Sequence, residues 1–224
     1  MNAEIKLSHS YSSINMFENC PLRYYRQRIL KDVKDEGGEA AHYGTAVHEA
    51  LEFRLKESRK LPRHLESCEP LCGAIESLAT DGEVHAELEL GLTKNLKPCE
   101  FMADDVWIRG IIDALVIRND GTAYAFDWKT GKRRTDSFQL KLSAGFLFRH
   151  FPMVDQVSTG YIWLKDGTID REVFKREDEV LIWKDIIVRI KRIEQALSKD
   201  VWPAKPSGLC RFCPARKDCQ FAQL

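Results

Sequence analysis

Two neighbouring segments rich in β-branched and aromatic residues constrain the fold most. Residues 106–117 and 122–128 are separated by Asn119-Asp120-Gly121, a sequence typical of a tight turn between antiparallel strands. The sequence therefore predicts a β-hairpin. A chain of 224 residues is long enough to bury a sizeable core around it.

The hydrophobic pattern elsewhere alternates between helical and extended periods. Apolar residues recur at helical spacing after Ser12 and Ser13, either of which can cap a first helix, and again in four later segments. We predict helices over residues 45–59, 69–79, 138–148 and 179–197, and further strands over residues 84–90, 157–164 and 168–174. This order predicts an α/β or α+β domain over residues 1–201, followed by a short Cys-rich tail over residues 202–224 that packs on it.

Charge and composition exclude several classes of protein. Thirty-four Lys and Arg balance thirty-four Asp and Glu, so binding of nucleic acid through a bulk positive surplus is not expected. No apolar run approaches the ~20 residues of a membrane span, and residues 1–7 mix charged and apolar positions, unlike a signal peptide. Seven cysteines without a secretion signal indicate metal ligands or reactive thiols rather than disulfides. We expect a cytoplasmic protein with no membrane association.

Two carboxylates and a lysine lie on the predicted hairpin. Asp127 and Lys129 are two residues apart on one strand, so their side chains share a face. If the two strands pair, Asp113 joins them there. Carboxylates suit Mg²⁺ or Mn²⁺, and a nearby ammonium can hold a water or stabilise charge on a phosphoryl group. The alternative is a surface ion pair, which contributes about 0–1 kcal/mol to stability.

Five motifs in this order resemble the PD-(D/E)XK nuclease superfamily, and more closely its RecB-like exonuclease branch. They are the Ser-rich helix ending in Cys20-Pro21, Gly44-x-x-x-His48, Gly110-x-x-Asp113, Asp127-x-Lys129-Thr130-Gly131, and the helix that opens with Gln139. The resemblance implies a restriction-endonuclease-like core, with a mixed sheet flanked by helices. It extends over almost the whole chain.

The resemblance also implies a role for each matched residue. His48, Asp113, Asp127 and the carbonyl of Trp128 would bind the catalytic Mg²⁺ or Mn²⁺. Lys129 would orient the attacking water, and Gln139 would position the substrate or Lys129. A lone helical His is otherwise more often a surface or packed residue, so the role of His48 depends on the other motifs.

The sequence departs from the family pattern at two positions: the acidic residue of Asp-x-Lys is Asp127 rather than Glu, as is common in the RecB-like branch, and one helical position differs. The family's Gln-x-x-x-Tyr reads Gln139-Leu140-Lys141-Leu142-Ser143 here, and Ser143 cannot stack on a base. Some relatives also use a glutamate upstream of Gly-x-x-Asp, for which Glu87 is the candidate. The alternative for Glu87 is the polar face of a half-buried strand.

Cysteines cluster in the tail. Cys210, Cys213 and Cys219 form C-x2-C-x5-C, the short spacing at which thiolates can reach one metal centre, and Cys20 could supply a fourth ligand. The family resemblance implies a [4Fe–4S] cluster on one early and three late cysteines, which would join the tail to the first helix. The spacing leaves Zn²⁺ open as the alternative.

Two groups of cations could contact nucleic acid. Arg23, Tyr24 and Arg26 combine charge with an aromatic ring, and Lys132, Arg133 and Arg134 follow the predicted metal site. The alternative for the first group is a core tyrosine between solvated arginines.

The sequence thus predicts a metal-dependent DNA nuclease, and the family resemblance favours an exonuclease acting on single strands with free ends. No Walker motif is present, so a helicase or recombination partner would supply any strand separation. The alternatives are a non-catalytic DNA-binding subunit of a recombination or repair complex and a zinc-stabilised regulatory protein.

Overall fold

The computed structural model describes residues 6–133 and 136–222, so the expectation of no signal peptide over residues 1–7 lies mostly outside it. The α-helices are α1 Tyr11–Asn19, α2 Pro21–Tyr24, α3 Glu39–Glu57, α4 Glu69–Leu78, α5 Phe138–His150 and α6 Glu179–Lys199. The strands are β1 Gly82–Thr93, β2 Pro98–Cys99, β3 Val106–Arg118, β4 Thr122–Lys129, β5 Gln156–Trp163 and β6 Thr168–Lys175. A π-helical turn covers Tyr25–Leu30, and 3₁₀ turns cover Arg63–Cys68, Arg176–Asp178, Gly208–Phe212 and Arg216–Asp218.

The strands form one six-stranded sheet in the order β2-β1-β3-β4-β5-β6. Strands β4 and β5 pair in parallel, and the other neighbours pair antiparallel. The parallel pair needs a crossover between its strands, which contains α5. The predicted mixed sheet flanked by helices is therefore confirmed.

The predicted hairpin is confirmed as β3 and β4. Its register pairs Ala114 with Phe126 and Ile117 with Ala123. Gly121 closes the turn with a φ of +83°, a conformation that L side chains rarely adopt. The amide groups of Asp155 and Gln156 donate to the Gly121 carbonyl, so the start of β5 is attached to the same turn.

Helices cover both faces of the sheet. On one face, α3, α4 and the turn between them pack on the centre of the sheet; the buried residues are Val47, Leu51, Leu61, Leu65, Cys68, Cys72, Ile75, Ala114, Val116, Phe126, Trp128 and Ile162. On the other face, Leu140 of α5 packs with Tyr161 and Trp163 of β5. Burial of these apolar side chains is the main force that holds the hairpin between two helical layers.

The chain divides into two compact units. The first, the sheet unit, contains the residues up to Ser8 and Gly38–Trp183, and the second, the cysteine unit, contains His9–Gly37 and Lys184–Leu224. These boundaries differ from the expected division after residue 201. They fall within α6 and before α3 because the N-terminal helices and the Cys-rich tail belong to the same unit.

Aromatic packing explains that grouping in the cysteine unit. The ring of Trp202 stacks on Tyr25 at 5.1 Å and on Tyr24 at 6.0 Å, and meets Phe17 edge-on. The Leu22 amide also donates to the Pro203 carbonyl at 3.3 Å. The start of the tail is thereby attached to the helices that carry Cys20.

Two helix starts differ from the sequence prediction. Helix α1 is capped by Ser10 rather than Ser12 or Ser13, because Ser10 and Ser13 each accept the other's backbone amide in a capping box. Helix α3 begins at Glu39, earlier than expected, with Gly38 as its N-cap. No helix within the described chain is both long and apolar enough to cross a membrane.

Candidate active site

Three carboxylates lie in one row across the sheet. The β3–β4 register, continued one step beyond Ala114 and Phe126, sets Asp113 opposite Asp127. The β1–β3 register pairs Ala86 with Ala114 and Leu88 with Ile112, which sets Glu87 opposite Asp113. Residues opposite one another on neighbouring strands share a face. The sequence therefore directs all three carboxylates to one place.

Glu87 adopts a backbone conformation that is unusual for a strand residue. Its φ is +47°, in the left-handed region where a residue other than Gly costs about 1–3 kcal/mol. The local backbone turns at this point, and the Glu87 carboxylate lies 3.7 Å from Nδ1 of His48. Strain of this kind concentrates at functional sites. The structure thus brings the upstream glutamate into the site.

Asp113 is held between the two neighbouring strands and α3. It is buried, and its Oδ2 accepts a hydrogen bond of 2.9 Å from the Trp128 amide. The same oxygen lies 3.3 Å from Nδ1 of His48. Its position is therefore fixed by a backbone group of β4 and by a side chain of α3.

His48 connects α3 to the end of β4. Its Nε2 donates to the Trp128 carbonyl at 3.0 Å, since a carbonyl oxygen can only accept, and its Nδ1 faces Asp113 and Glu87. Burial disfavours the charged ring, but the hydrogen bonds to Asp113 and Glu87 and the charge of Asp127 outweigh this effect. Together they raise the pKa of His48 to about 10.

Lys129 lies in a network with Asp127 and Gln139. Its ammonium is 2.5 Å from Oδ2 of Asp127, donates to Oε1 of Gln139 at 2.9 Å, and lies 5.0 Å from the centre of the Tyr161 ring. The side-chain amide of Gln139 donates in turn to Oδ1 of Asp127. Burial, followed by the charge of Asp113, raises the pKa of Asp127, and the charges of Lys129 and His48 oppose this shift.

These donors fit a divalent metal ion. Ligand atoms of His48, Glu87 and Asp113 all lie within 4.8 Å of one another. The distance of 3.0 Å from His48 to the Trp128 carbonyl is about that between adjacent ligands of an octahedral ion bound at about 2.1 Å. Asp127 lies outside that group, and its buried Oδ2 is 2.5 Å from the Lys129 ammonium. An imidazole with carboxylate and carbonyl oxygens suits Mn²⁺ and, less well, Mg²⁺.

The structure places the predicted nucleic-acid contacts differently. Arg133 forms a two-point ion pair with Asp170 of β6, Lys132 is exposed, and Arg134 lies outside the described residues. In the cysteine unit, Arg23 pairs with Asp35. Arg133 and Arg23 are therefore occupied by carboxylates.

Tyr24 and Arg26 are less available than the sequence suggested. The Tyr24 ring is fully buried and stacked on Trp202, so it has no free face for a base. Arg26 pairs with Asp32 at 2.9 Å. Tyr24 is therefore a core tyrosine, the alternative given above, and we do not retain its predicted stacking on a base.

Four cysteines line a cavity of about 270 Å³ in the cysteine unit, namely Cys20, Cys210, Cys213 and Cys219. The Ser207 amide donates to the sulfur of Cys210 at 3.3 Å. Among the described residues, their sulfur atoms do not form a group of three within 4.8 Å of one another. Tetrahedral Zn²⁺ with sulfur at about 2.3 Å would bring them to about 3.8 Å.

The surroundings of the remaining cysteines keep their thiols protonated. Cys68 and Cys72 are buried against α3 and the sheet, and burial raises the pKa of the Cys72 thiol to about 11. Burial also raises the pKa of Cys99. A thiol with a raised pKa is a poor nucleophile and a poor metal ligand at neutral pH.

Sequence reasoning did not identify two contacts around the site. Tyr161 lies beside Lys129, and Asp170 accepts from both Arg133 and the Trp163 indole. The registers of β4, β5 and β6 set Tyr161 opposite Asp127 and Asp170 opposite Tyr161. Because β5 lies beyond a crossover, no local spacing in the sequence indicates this alignment.

Comparisons with known proteins agree with the geometry of this site. A model of the PD-(D/E)XK nuclease superfamily matches residues 8–97 and 76–220. No curated protein matches the sequence. In fold, the chain is similar to SSO0001, with a TM-score of 0.50 and 16% identity over 99% of this chain and 91% of that one. It is also similar to a candidate exonuclease from Eubacterium rectale, with a TM-score of 0.51 and 13% identity over 92% and 86% of the two chains.

Proposed function

The chain belongs to the PD-(D/E)XK nuclease superfamily, and from this premise we propose that it hydrolyses phosphodiester bonds of DNA in a metal-dependent reaction. The observation that carries the proposal is the row of Glu87, Asp113 and Asp127, with His48 on one side and Lys129 on the other. The buried carboxylates of Asp113 and Asp127 repel one another, which raises the pKa of Asp127, and a divalent cation between them would relieve that repulsion.

The metal would be held by His48, Asp113, Asp127 and the Trp128 carbonyl, with Glu87 as a further ligand. When bound, Mg²⁺ or Mn²⁺ would lower the pKa of a water molecule and neutralise charge on the phosphate. Asp113 sets the geometry, because one of its oxygens is already fixed by the Trp128 amide at 2.9 Å. His48 must lose its proton at the coordinating nitrogen before it can bind metal.

Lys129 would orient the attacking water and stabilise charge that develops on the phosphoryl oxygens. Its ammonium has three donors, of which one is given to Gln139 and another faces Asp127. Gln139 acts as a positioning residue, since it contacts both Lys129 and Asp127. The hydroxyl of Ser143 donates to the Gln139 carbonyl within α5. A base would therefore have no aromatic partner at this position.

We extend the proposal to an exonuclease that acts on free ends, with single-stranded DNA favoured, in the cytoplasm. The resemblance to the RecB-like branch supports this extension. A helicase or recombination partner would separate the strands, because the sequence has no Walker motif.

The cysteine unit would hold a [4Fe–4S] cluster on Cys20, Cys210, Cys213 and Cys219. The cavity of about 270 Å³ that the four cysteines share and the resemblance to the RecB-like branch support this assignment, with Zn²⁺ as the alternative metal bound by the same cysteines. Cys20 lies between α1 and α2, whereas the other three lie in the tail. The cluster would therefore join distant parts of the chain.

The test is a nuclease assay with protein purified under argon. End-labelled linear single-stranded DNA, linear duplex and circular DNA are incubated with Mn²⁺ or Mg²⁺, and wild type is compared with Lys129→Ala. Lys165→Ala, which removes an exposed lysine from the turn between β5 and β6, is the matched control. We expect cleavage of linear single strands by wild type and control, and a loss of about a thousandfold or more in Lys129→Ala with DNA affinity largely kept.

Two results would contradict the proposal. Cleavage by Lys129→Ala at the wild-type rate would mean that Lys129 takes no part in the reaction. Absence of metal-dependent cleavage of every substrate by protein with an intact cluster would favour the non-catalytic DNA-binding subunit. Cleavage of circular DNA, which has no free ends, would mean that the protein is an endonuclease.

A further inference from the structure

The net charge of zero conceals an uneven distribution between the two units. The cysteine unit contains fourteen Lys and Arg and eight Asp and Glu, a net charge of +6. The sheet unit contains twenty Lys and Arg and twenty-six Asp and Glu, a net charge of −6. A polyanion is attracted by the first unit and repelled by the second, apart from its metal site.

The tail of the cysteine unit exposes aromatic rings next to unpaired cations. Phe212 is 69% exposed and Phe221 is 44% exposed. Arg211, Arg216 and Lys217 are exposed and form no ion pair with another residue in the described part of the chain. Arg23 and Arg26, by contrast, are paired with carboxylates. Cations of the tail therefore contribute positive charge that no carboxylate of the described residues neutralises.

Arg211 and Phe212 form a single platform. The guanidinium of Arg211 lies over the Phe212 ring, 4.6 Å from its centre. This contact orders two side chains that would otherwise move independently, and most of the ring surface stays accessible. The guanidinium covers one face of the ring, which leaves an accessible aromatic surface beside a positive charge.

We propose that Arg211 and Phe212 bind single-stranded nucleic acid, with a base stacked on the Phe212 ring and a phosphate near Arg211. Single strands are bound by alternating aromatic rings and cations, because every base has a stacking face and every nucleotide a negative charge. The unit stays net positive after the two negative charges that a [4Fe–4S]²⁺ cluster on four thiolates would add, which favours this polyanion over an apolar protein surface. The proposal deepens the nuclease function, on which it rests: the cysteine unit binds the strand and the sheet unit cuts it.

The test measures binding separately from cleavage. A fluorescein-labelled oligo(dT) is titrated with cluster-containing protein in Ca²⁺, and turnover in Mn²⁺ is measured at saturating DNA. Phe212→Ala is expected to raise Kd at least fivefold with turnover little changed, and Phe212→Tyr to restore the affinity. Arg211→Ala is expected to reduce the slope of log K against log salt by about 0.7.

Arg59→Ala is the matched control. Arg59 also lies over a phenylalanine ring, 4.0 Å from the centre of Phe53, but in the acidic sheet unit. Arg59→Ala removes the same charge and the same type of contact, together with an ion pair of 2.7 Å to Glu57, and the Kd for oligo(dT) should stay at the wild-type value. If Arg59→Ala and Arg211→Ala lose the same affinity for oligo(dT), the effect comes from overall charge alone, and the proposal for Arg211 and Phe212 is wrong.

Phe212→Leu distinguishes stacking from apolar contact. Leucine keeps an apolar side chain without a flat ring, so it should bind DNA as weakly as Phe212→Ala. Wild-type affinity in Phe212→Leu or in Phe212→Ala would overturn the proposal, and the latter would favour a protein partner for this surface. Either result can occur with normal cleavage by wild type. If wild type does not cleave DNA but Phe212→Ala still weakens binding, the nuclease function is wrong and the binding proposal stands.

Discussion

In the sheet unit, the carboxylates proposed to bind metal lie on strands and His48 lies on α3, whereas in the cysteine unit three of the four cysteines lie on short turns. Asp113 and Asp127 are buried next to Ala114 and Phe126, in the centre of a six-stranded sheet. Three of the four cysteines lie in or beside 3₁₀ turns, Gly208–Phe212 and Arg216–Asp218. Within the described tail beyond Trp202, the only buried apolar side chains are Ala215 and Ala222.

This difference concerns how much each site depends on its metal. The sheet buries enough apolar surface to hold Asp113 and Asp127 before any ion binds. The tail buries too little to keep its shape, so a metal centre would supply the missing cross-link. We therefore expect the sheet unit to fold without its divalent ion and the tail to need its cluster.

The largest expected effect is on the tail. Cys213→Ser should abolish iron binding and leave the tail open to protease, because binding of a structural metal supplies most of the folding free energy of such segments. The sheet should stay folded. Iron content and limited proteolysis followed by mass spectrometry measure both, with Cys99→Ser in β2 as the control. Full iron content in Cys213→Ser, or unfolding of the sheet, would contradict the contrast between the units.

The next effect is on turnover. Asp113→Asn keeps the acceptor for the Trp128 amide but removes a negative charge from the metal site. We expect turnover to fall about a thousandfold, or ~4 kcal/mol in transition-state free energy, with unchanged iron content. Asp104→Asn, on the exposed segment before β3, is the control. Loss of iron in Asp113→Asn would mean that the two sites are coupled.

The part of the site predicted from the sequence depended on local spacing. The Asn119-Asp120-Gly121 turn sets the β3–β4 register, and that register, continued one step beyond its last pair Ala114–Phe126, brings Asp113 opposite Asp127. Lys129 follows because alternate residues of a strand share a face. The superfamily was predicted from five such motifs and is confirmed by the family model. The RecB-like branch and the iron–sulfur cluster stay predictions.

The remaining features depend on contacts that sequence spacing does not encode. The left-handed conformation of Glu87 occurs at a residue that is not Gly, so no residue type signals it. The carboxylate partner of Arg133 comes from β6, beyond the crossover. The basic character of the cysteine unit was hidden because its two segments are separated by the acidic sheet unit.

The protonation of His48 gives the sheet unit a pH dependence that the cysteine unit should lack. Without divalent metal, the pKa of His48 is about 10 in the folded protein, above its ordinary 6.5. The folded state therefore holds a proton that the unfolded state loses, so this contribution to stability is complete below pH 6.5 and decreases as the pH rises toward 10. Protons also compete with metal at His48, and the apparent metal affinity should rise up to about tenfold per pH unit in this range.

Thermal unfolding in a mild chelator, from pH 6.5 to 10, measures the first effect. His48→Gln should lack this part of the pH dependence, and the absorbance of the cluster should not follow it. If wild type and His48→Gln show the same dependence, His48 does not carry the proton.

The smallest expected effect tests the packing that supports Asp113. A Cβ atom at Gly110 would lie 2.8 Å from Cε2 of Phe146, a ring that is only 1% exposed. Gly110→Ala should therefore cost about 1–3 kcal/mol and lower the melting temperature by several degrees. Gly73→Ala, in the middle of α4 with nothing within 4 Å of its Cβ, should instead be neutral or stabilising.

The outcome bears directly on how the sheet unit holds its metal site. Gly110 is three residues before Asp113 on β3, and Phe146 presses on it from α5. If this contact is rigid, the added methyl group must displace β3 or the ring, and turnover falls together with stability. If Gly110→Ala is as stable as wild type, the ring can move within the core. The sheet would then be no more fixed before metal binding than the tail, and the contrast between the two units would fail.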